Sequence, residues 1–504
     1  MGMGLKSRIS SFFRRSRIEE LRQIIILYFY TLSTASPNPR VVVKMASSSN
    51  LTLGDLSKIF KRISSAVERW NYELHEAVKY VSKEVRDKEI FSFLKRFSDS
   101  LTLNMDLRDF TRIEFEKMMT NLVDEFERGL ERAKKLIDAY SAILTSSTFL
   151  SVSMLLVSSI FGMKTERLLA LTALGIFSTL SLMTILLSKS IPLDPILHKS
   201  ERRPAKLKSL KKLNTMAIPL SIILSIALAI LFRSQGNPVK SMTLPLFSAG
   251  IPLLAIGRLG IRWVRSAEKI DKNLPAFMKS LGDAVEVSGS LKSACKLISV
   301  NDYGPINELV KRLQRRLEAG FDQRLTLKVF GAEALSNLSY SMSKVMADSF
   351  HHGARPSITA KAIHDYVLKR LENRKKRAQV AGMLWGIALP LQASFAAISA
   401  LISVLMKTLS AFIELIYSWF PLIAPIPEPL INFFFFSVTY GMAYASAFAL
   451  YRIRGDSTFS FTSSLGFLLT LSGAVYALSS MASDIIFKMA AGLTEEISSI
   501  AGEL

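Results

Sequence analysis

The stretch Leu144–Met163, LTSSTFLSVSMLLVSSIFGM, holds no charged residue. A Lys-Thr-Glu-Arg link at 164–167 follows, and Leu168–Leu187, LLALTALGIFSTLSLMTILL, is again uncharged. About 20 apolar residues in a helix cover the roughly 30 Å of hydrocarbon in a bilayer. Two such runs joined by a short charged link read as a transmembrane hairpin. Outward from it, similar runs recur at 216–232, 244–261, 380–406, 430–450 and 459–481. The expected fold class is therefore all-α: a polytopic membrane protein with about seven transmembrane helices. Ala411–Ala424 reads as a re-entrant or interfacial segment or as an eighth crossing.

Composition alone does not decide the class. Of 504 residues, 49% are hydrophobic, and the mean hydropathy of +0.29 is within reach of soluble domains. The distribution into spans decides. The net charge of +23 has a simple cause in such a chain, because Lys and Arg gather on the cytoplasmic side. Lys189, Lys199, Arg202, Arg203, Lys206, Lys208, Lys211 and Lys212 crowd one loop, and Arg452 and Arg454 mark a second turn. Placing these and both charged blocks inside puts the N-terminus in the cytoplasm and the chain in the cell membrane as a multi-pass protein. Four blocks follow: 1–143, an N-terminal cytoplasmic helical domain; 144–261, four spans with a basic cytoplasmic loop at 188–215; 262–379, a second cytoplasmic helical domain; and 380–504, three spans and a C-terminal tail.

The opening Lys6, Arg8, Arg14, Arg15 and Arg17 precede the apolar run Ile24–Tyr30, with Ser33-Thr34-Ala35 behind it. The basic region is too long and the apolar core too short for a cleaved signal. A basic amphipathic helix on the inner leaflet is expected.

Both charged blocks read as helical. In the second, Gly304-Pro305 opens a helix. Ile306, Leu309, Val310, Leu313 and Leu317 form its apolar stripe, and Gly320 stops it. Lys311, Arg312, Arg315 and Arg316 fall off the stripe and leave a cationic face. Ser290 caps a helix carrying Leu291, Ala294, Cys295 and Ile298. In the first block, Trp70, Leu74, Ala77, Val78 and Val81 suggest a similar stripe. Each block is expected to pack on its own core. The blocks also look like copies: Arg40 and Lys44–Ser47 parallel Lys292 and Lys296–Ser299, Lys79 parallels Lys328, and Phe93–Leu103 parallels Ser341–His351.

Several chemistries find no support. The spans carry no Asp, Glu, Lys, Arg or His at their middles, which argues against an ion-coupled pump. No Gly-x-x-x-x-Gly-Lys-Ser/Thr occurs; Gly162-Met163-Lys164-Thr165 only imitates its tail. The single cysteine, Cys295, excludes an internal disulfide and any multi-cysteine metal site. His351 and His352 lack a ligand set. No catalytic, cofactor or metal residue is assigned, and the chain is not expected to be an enzyme.

Asp271-Lys272-Asn273-Leu274-Pro275, Val287-Ser288-Gly289-Ser290-Leu291, Tyr303-Gly304-Pro305, Leu317-Glu318-Ala319-Gly320 and His352-Gly353 together resemble a type II secretion system F domain. Two such domains interleaved with membrane helices resemble the archaeal platform proteins of type IV pili and archaella, with bacterial Tad platforms more distant. The first copy departs from the pattern, having Asn38 and Pro39 near the second copy's glycine. The resemblance implies a non-enzymatic membrane platform that couples a cytoplasmic hexameric secretion ATPase to the insertion of pilin or archaellin subunits. It also implies a lipid membrane setting and a homodimer.

A basic surface suits an acidic ATPase face. The candidate contacts are Lys311, Arg312, Arg315 and Arg316, then Arg374, Lys375, Lys376 and Arg377, with Arg202, Arg203, Lys211 and Lys212 as second choices. Charges beside a membrane also fix topology or bind anionic lipid, which is the plainer reading of each. The alternative function is a transporter or channel subunit for an uncharged substrate. A nucleic-acid partner is not expected, because aromatics do not interleave with the basic clusters.

Overall fold

The computed structural model describes residues 20–161, 165–198, 204–232, 238–416 and 427–502. The described residues are nearly all helical; the one β feature among them is an isolated bridge, Leu197 to Ser336. In chain order the first half contains α1 (20–33), α2 (Pro39–Ser48), α3 (Asn50–Leu53), α4 (Ser57–Trp70), α5 (Leu74–Ser82), α6 (Lys88–Thr102), α7 (Leu107–Phe161), α8 (Thr165–Ser190) and α9 (Ala205–Leu231). The second half contains α10 (Pro238–Ser288), α11 (Leu291–Ile298), α12 (Asn307–Glu318), α13 (Gln323–Glu333), α14 (Asn337–His351), α15 (Pro356–Ile416), α16 (Glu428–Arg454) and α17 (Thr458–Gly502).

The halves repeat. α5 and α13 begin at Leu74 and Gln323, α6 and α14 at Lys88 and Asn337, α7 and α15 at Leu107 and Pro356. Each pair is 249 positions apart. The turns repeat with them. Asn71 and Gly320 have φ of 54° and 80°, and Asn104 and Gly353 have φ of 50° and 78°. These are left-handed helix stops, a conformation open to glycine and, among side-chain-bearing residues, best tolerated by asparagine and aspartate. The same stop is thus made with asparagine in one copy and glycine in the other.

The described chain forms two compact units. The first combines residues within Met1–Arg128, Leu193–Pro204 and Val264–Lys376. One contiguous apolar core runs through it and draws on both copies. Phe29 packs on Phe60, Phe93 and Phe97 at 5.0–5.7 Å between ring centroids. Phe277 packs on Tyr303 and Phe330. Polar bonds also join the copies: Thr52 Oγ1 donates to Asp348 Oδ2 at 2.5 Å, and Tyr366 donates to Gln23 at 2.8 Å.

Three expectations are corrected here. The blocks do not pack on separate cores, because the short amphipathic helices of each leave apolar faces that the other covers. The run Ile24–Tyr30 is not an interfacial helix: Leu27, Tyr28 and Phe29 are fully buried at the centre of the shared core. Trp70 does not belong to the α5 stripe. It ends α4, one residue before the Asn71 stop, and is exposed. The remainder of that stripe, Leu74, Ala77, Val78 and Val81, is buried, as are Leu309, Val310, Leu313 and Leu317 of α12. Ser290 Oγ accepts from Ser293 N at 3.1 Å, as a cap should.

Cys295 is fully buried, and burial pushes its thiol up to about 12. The thiolate is the reactive form. Maleimide labelling of the folded chain at neutral pH is therefore expected to be negligible and to rise steeply on unfolding. Rapid labelling of the native chain would contradict the assignment of Cys295 to the core.

The second unit combines residues within Gly129–Pro192, Ala205–Trp263 and Arg377–Leu504. It holds the apolar parts of seven helices that are long and apolar enough to cross a membrane. Ala411–Ala424 lies largely outside the described residues. Small residues let these helices approach closely, since lipid offers no hydrophobic drive for their association. A Cβ on Gly257 of α10 would meet Ser463 N of α17 at 2.4 Å, and one on Gly466 of α17 would meet Leu254 N at 2.3 Å. One buried amide is satisfied across helices: Gln392 Nε2 donates to Thr439 O and to Ser472 Oγ, each at 3.0 Å. Gly257→Leu is expected to destabilise the unit by about 1–3 kcal/mol through overpacking. A thermal midpoint unchanged from the native chain in detergent would count against this packing.

Candidate docking surface

The cationic face begins with the sequence of α12. Its leucines and valine at helical spacing bury one side, so the intervening Lys and Arg are carried on the other. Lys311 and Arg312 side chains are 58% and 52% exposed, and Arg315 is exposed. Lys311 Nζ lies 3.8 Å from Glu308, a weak surface pair. Glu333 of α13 draws in two arginines: Arg316 forms a two-pronged ion pair with it, and Arg312 approaches to 3.9 Å. Arg316 is consequently half-buried and holds α12 to α13.

The juxtamembrane run divides differently. Arg374 is only 14% exposed and forms ion pairs with Asp194 at 2.7 Å and with Asp271 at 2.6 Å. Arg370 reaches the other oxygen of Asp194 at 2.6 Å. Ser339 Oγ donates to Asp271 Oδ1 at 2.8 Å. Arg377, in the second unit, is 4% exposed and donates to Pro192 O at 2.7 Å. Arg374 and Arg377 therefore serve internal contacts and present no charge to a partner. A guanidinium offers five donors in a rigid fork, which suits it to such buried bidentate pairing. Lys376 pairs with Glu127, and Lys375 remains exposed. Arg202 and Arg203 lie outside the described residues, and Lys211 and Lys212 are exposed on α9.

The ion cluster also fixes the segment between α8 and α9. His198 N donates to Leu335 O at 3.1 Å, Asn337 N donates to Ile196 O at 2.6 Å, and His198 Nε2 lies 2.8 Å from Ala332 O. The segment is thereby strapped across the α13–α14 junction.

The register of the copies adds residues that the sequence reading passed over. KRISSAVE at 61–68 and KRLQRRLE at 311–318 occupy corresponding helices. Arg62 NH1 bonds Glu84 Oε2 at 2.5 Å; Glu84 and Glu333 are 249 positions apart. The Lys-Arg pair and a glutamate at the far end of the next helical segment, just past α5 or at the end of α13, are thus present in both copies. The shared Lys-Arg-(Ile/Leu)-x-x-x-(Val/Leu)-Glu pattern was the available signal. Among the described residues no His, Cys, Asp or Glu group is placed to hold a metal ion.

These features define a class: an all-α polytopic membrane protein that joins seven apolar helices to a duplicated helical unit with a cationic face. The chain is similar to Flagella accessory protein J of Methanocaldococcus jannaschii, 26% identical over 411 residues, which are 79% of this chain and 73% of that protein. It is also similar to Flagella accessory protein J of Methanococcus voltae, 24% identical over 74% of this chain and 69% of that one. The resemblance to archaellum assembly platforms is borne out by these relatives. Both are named as accessory proteins, not as enzymes. No family model matches the chain, and no solved structure matches it.

Breaking a buried ion pair by removing one partner costs about 3–5 kcal/mol. Asp194→Asn is expected to approach that loss in detergent unfolding, whereas Lys375→Gln should change stability by no more than about 0.5 kcal/mol. Equal effects of the two would contradict the division into buried and free cations.

Proposed function

We propose that the chain is the platform of an archaellum-type filament machine in the cell membrane. In this reading it docks a cytoplasmic hexameric secretion ATPase on its cationic helical unit and couples that motor to insertion of pilin or archaellin subunits. The carrying observation is the sequence relationship to two archaellum accessory proteins over about three quarters of the chain. The N-terminus and the blocks 1–143 and 262–379, as F-type domains, face the cytoplasm, where the positive-inside bias puts the basic loops. The working form is a homodimer. The platform is a scaffold and performs no bond chemistry itself.

The structure narrows the contact candidates. Lys311, Arg312, Arg315 and Lys375 are exposed, so they can steer an acidic partner and hold register. Arg374 and Arg377 are taken up by internal contacts, each within its own unit. In the second unit an apolar cavity of about 510 Å³ lies among α8, α9 and α16, lined by Phe177, Ile222, Phe433, Tyr440 and Tyr444 among others. Its lining supports a role for these helices in holding an apolar segment of a filament subunit.

The test is binding of the full chain, in lipid nanodiscs, to the secretion ATPase of the same cell. Lys311→Glu with Arg315→Glu should weaken binding about tenfold or more. Raising salt from 50 to 500 mM should weaken the native complex and affect the double variant less, because the screening length between exposed charges falls from about 14 Å to about 4 Å over this range. No ATPase binding at any salt would overturn the proposal.

A further inference from the structure

The two copies in the first unit repeat a surface as well as a helix order. In each, Lys and Arg stand side by side on an exposed helical turn, Lys61-Arg62 on α4 and Lys311-Arg312 on α12. In each, the arginine reaches a glutamate at the far end of the next helical segment, Glu84 just past α5 or Glu333 at the end of α13. In each, the helix ends in a left-handed residue, Asn71 or Gly320. The next residue is an exposed aromatic: Tyr72 is 42% and Phe321 is 60% exposed. The residue after that, Glu73 or Asp322, is the N-cap of the next helix. Each aromatic is therefore held between a left-handed stop and a helix start; Tyr72 also stacks on Tyr80, with ring centroids 6.4 Å apart.

Single exposed apolar side chains are ordinary. An exposed ring directly after the left-handed stop, 11 residues after the lysine in one copy and 10 in the other, is a repeated arrangement. Aromatic and arginine side chains are the groups enriched at the centres of protein interfaces. We infer that Lys61–Tyr72 and Lys311–Phe321 are two equivalent docking surfaces that engage two subunits of one acidic homo-oligomer. A partner built of identical subunits offers the same complementary surface more than once, and it is the natural match for a surface that one chain presents twice. The inference rests on the ATPase reading above and specifies how that ring is held. Binding through two sites makes the second engagement intramolecular, so avidity exceeds the affinity of either surface.

The decisive experiment uses the full chain in nanodiscs with the same ATPase. A photoreactive phenylalanine at position 72, at position 321, or at both keeps an aromatic group at each exposed site. Irradiation should join one ATPase protomer to each singly substituted chain and two protomers to the doubly substituted chain. Tyr72→Ser with Lys61→Glu, and Phe321→Ser with Lys311→Glu, should each weaken binding by about 10–100-fold. Tyr72→Phe, which imports the other copy's residue, should bind within about twofold of native, the change expected of a conservative surface swap. Protection of Cys295 from maleimide reports that each variant is folded. Crosslinks from position 321 alone, with binding indifferent to Tyr72 and Lys61, would overturn the pairing and leave the ATPase reading standing. A native chain that binds no ATPase would overturn both. Substitutions that instead release the chain's soluble surface from anionic lipid vesicles, with no protomer crosslinked, would assign the surfaces to lipid and overturn the pairing.

Discussion

A carboxylate taken out of water must be matched, and Asp194 is matched twice. Its two oxygens are held by Arg370 and Arg374, and Arg374 spends its remaining reach on Asp271. Those four side chains come from three separate stretches: the segment after α8, the second half of α10 and the first third of α15. Desolvated ion groups tolerate little displacement, because attraction offsets the loss of hydration only at short range. The cluster therefore fixes where the strap 193–198 lies, and through it the α13–α14 junction against which the strap is bonded. The cationic face of α12 is fixed in turn by α13, through Glu333. A chain of this kind, from a buried carboxylate to an exposed lysine, explains why so few of the arginines near Arg374 are free.

Apolar runs were the most legible feature of the sequence. A span must be long and uncharged whatever packs against it, so all seven runs read from composition are helices here. The stripes on α11 and α12 were equally readable, because 3.6-residue periodicity depends on one helix alone. What failed depended on distant segments. Ile24–Tyr30 looks interfacial by its basic neighbours, yet its burial comes from Phe60, Phe93 and Phe97, which lie 30 or more residues away. Trp70 matched the α5 stripe by spacing, but a left-handed Asn71 separates the two helices.

The candidate contacts show the same limit. Lys and Arg clusters are visible in any sequence, but whether a guanidinium faces water or a carboxylate is a tertiary fact. Arg374 and Lys375 are adjacent in the chain and have opposite environments, one bound by two aspartates and the other exposed. The duplication could be read further than it was. Once Asn71 is seen to do the work of Gly320, the helices after it fall into register at 249 positions, those before it match at 250, and the Lys61-Arg62 pair comes into view.

The shared core has a consequence for how the chain is made. Helices α1 to α6 leave the ribosome first, but the core they complete includes residues some 250 positions later. At about 5–20 residues per second, synthesis of that intervening chain takes on the order of 10–50 s. During this interval the first four spans emerge, while the core begun by Phe29, Phe60, Phe93 and Phe97 lacks the residues that the second copy adds to it. The nascent first copy is thus an open half-core waiting for its second half, and its helices share their order and turn chemistry with the segment they await. Pairing with the first copy of a neighbouring nascent chain is the competing outcome, and spacing ribosomes along the message would suppress it.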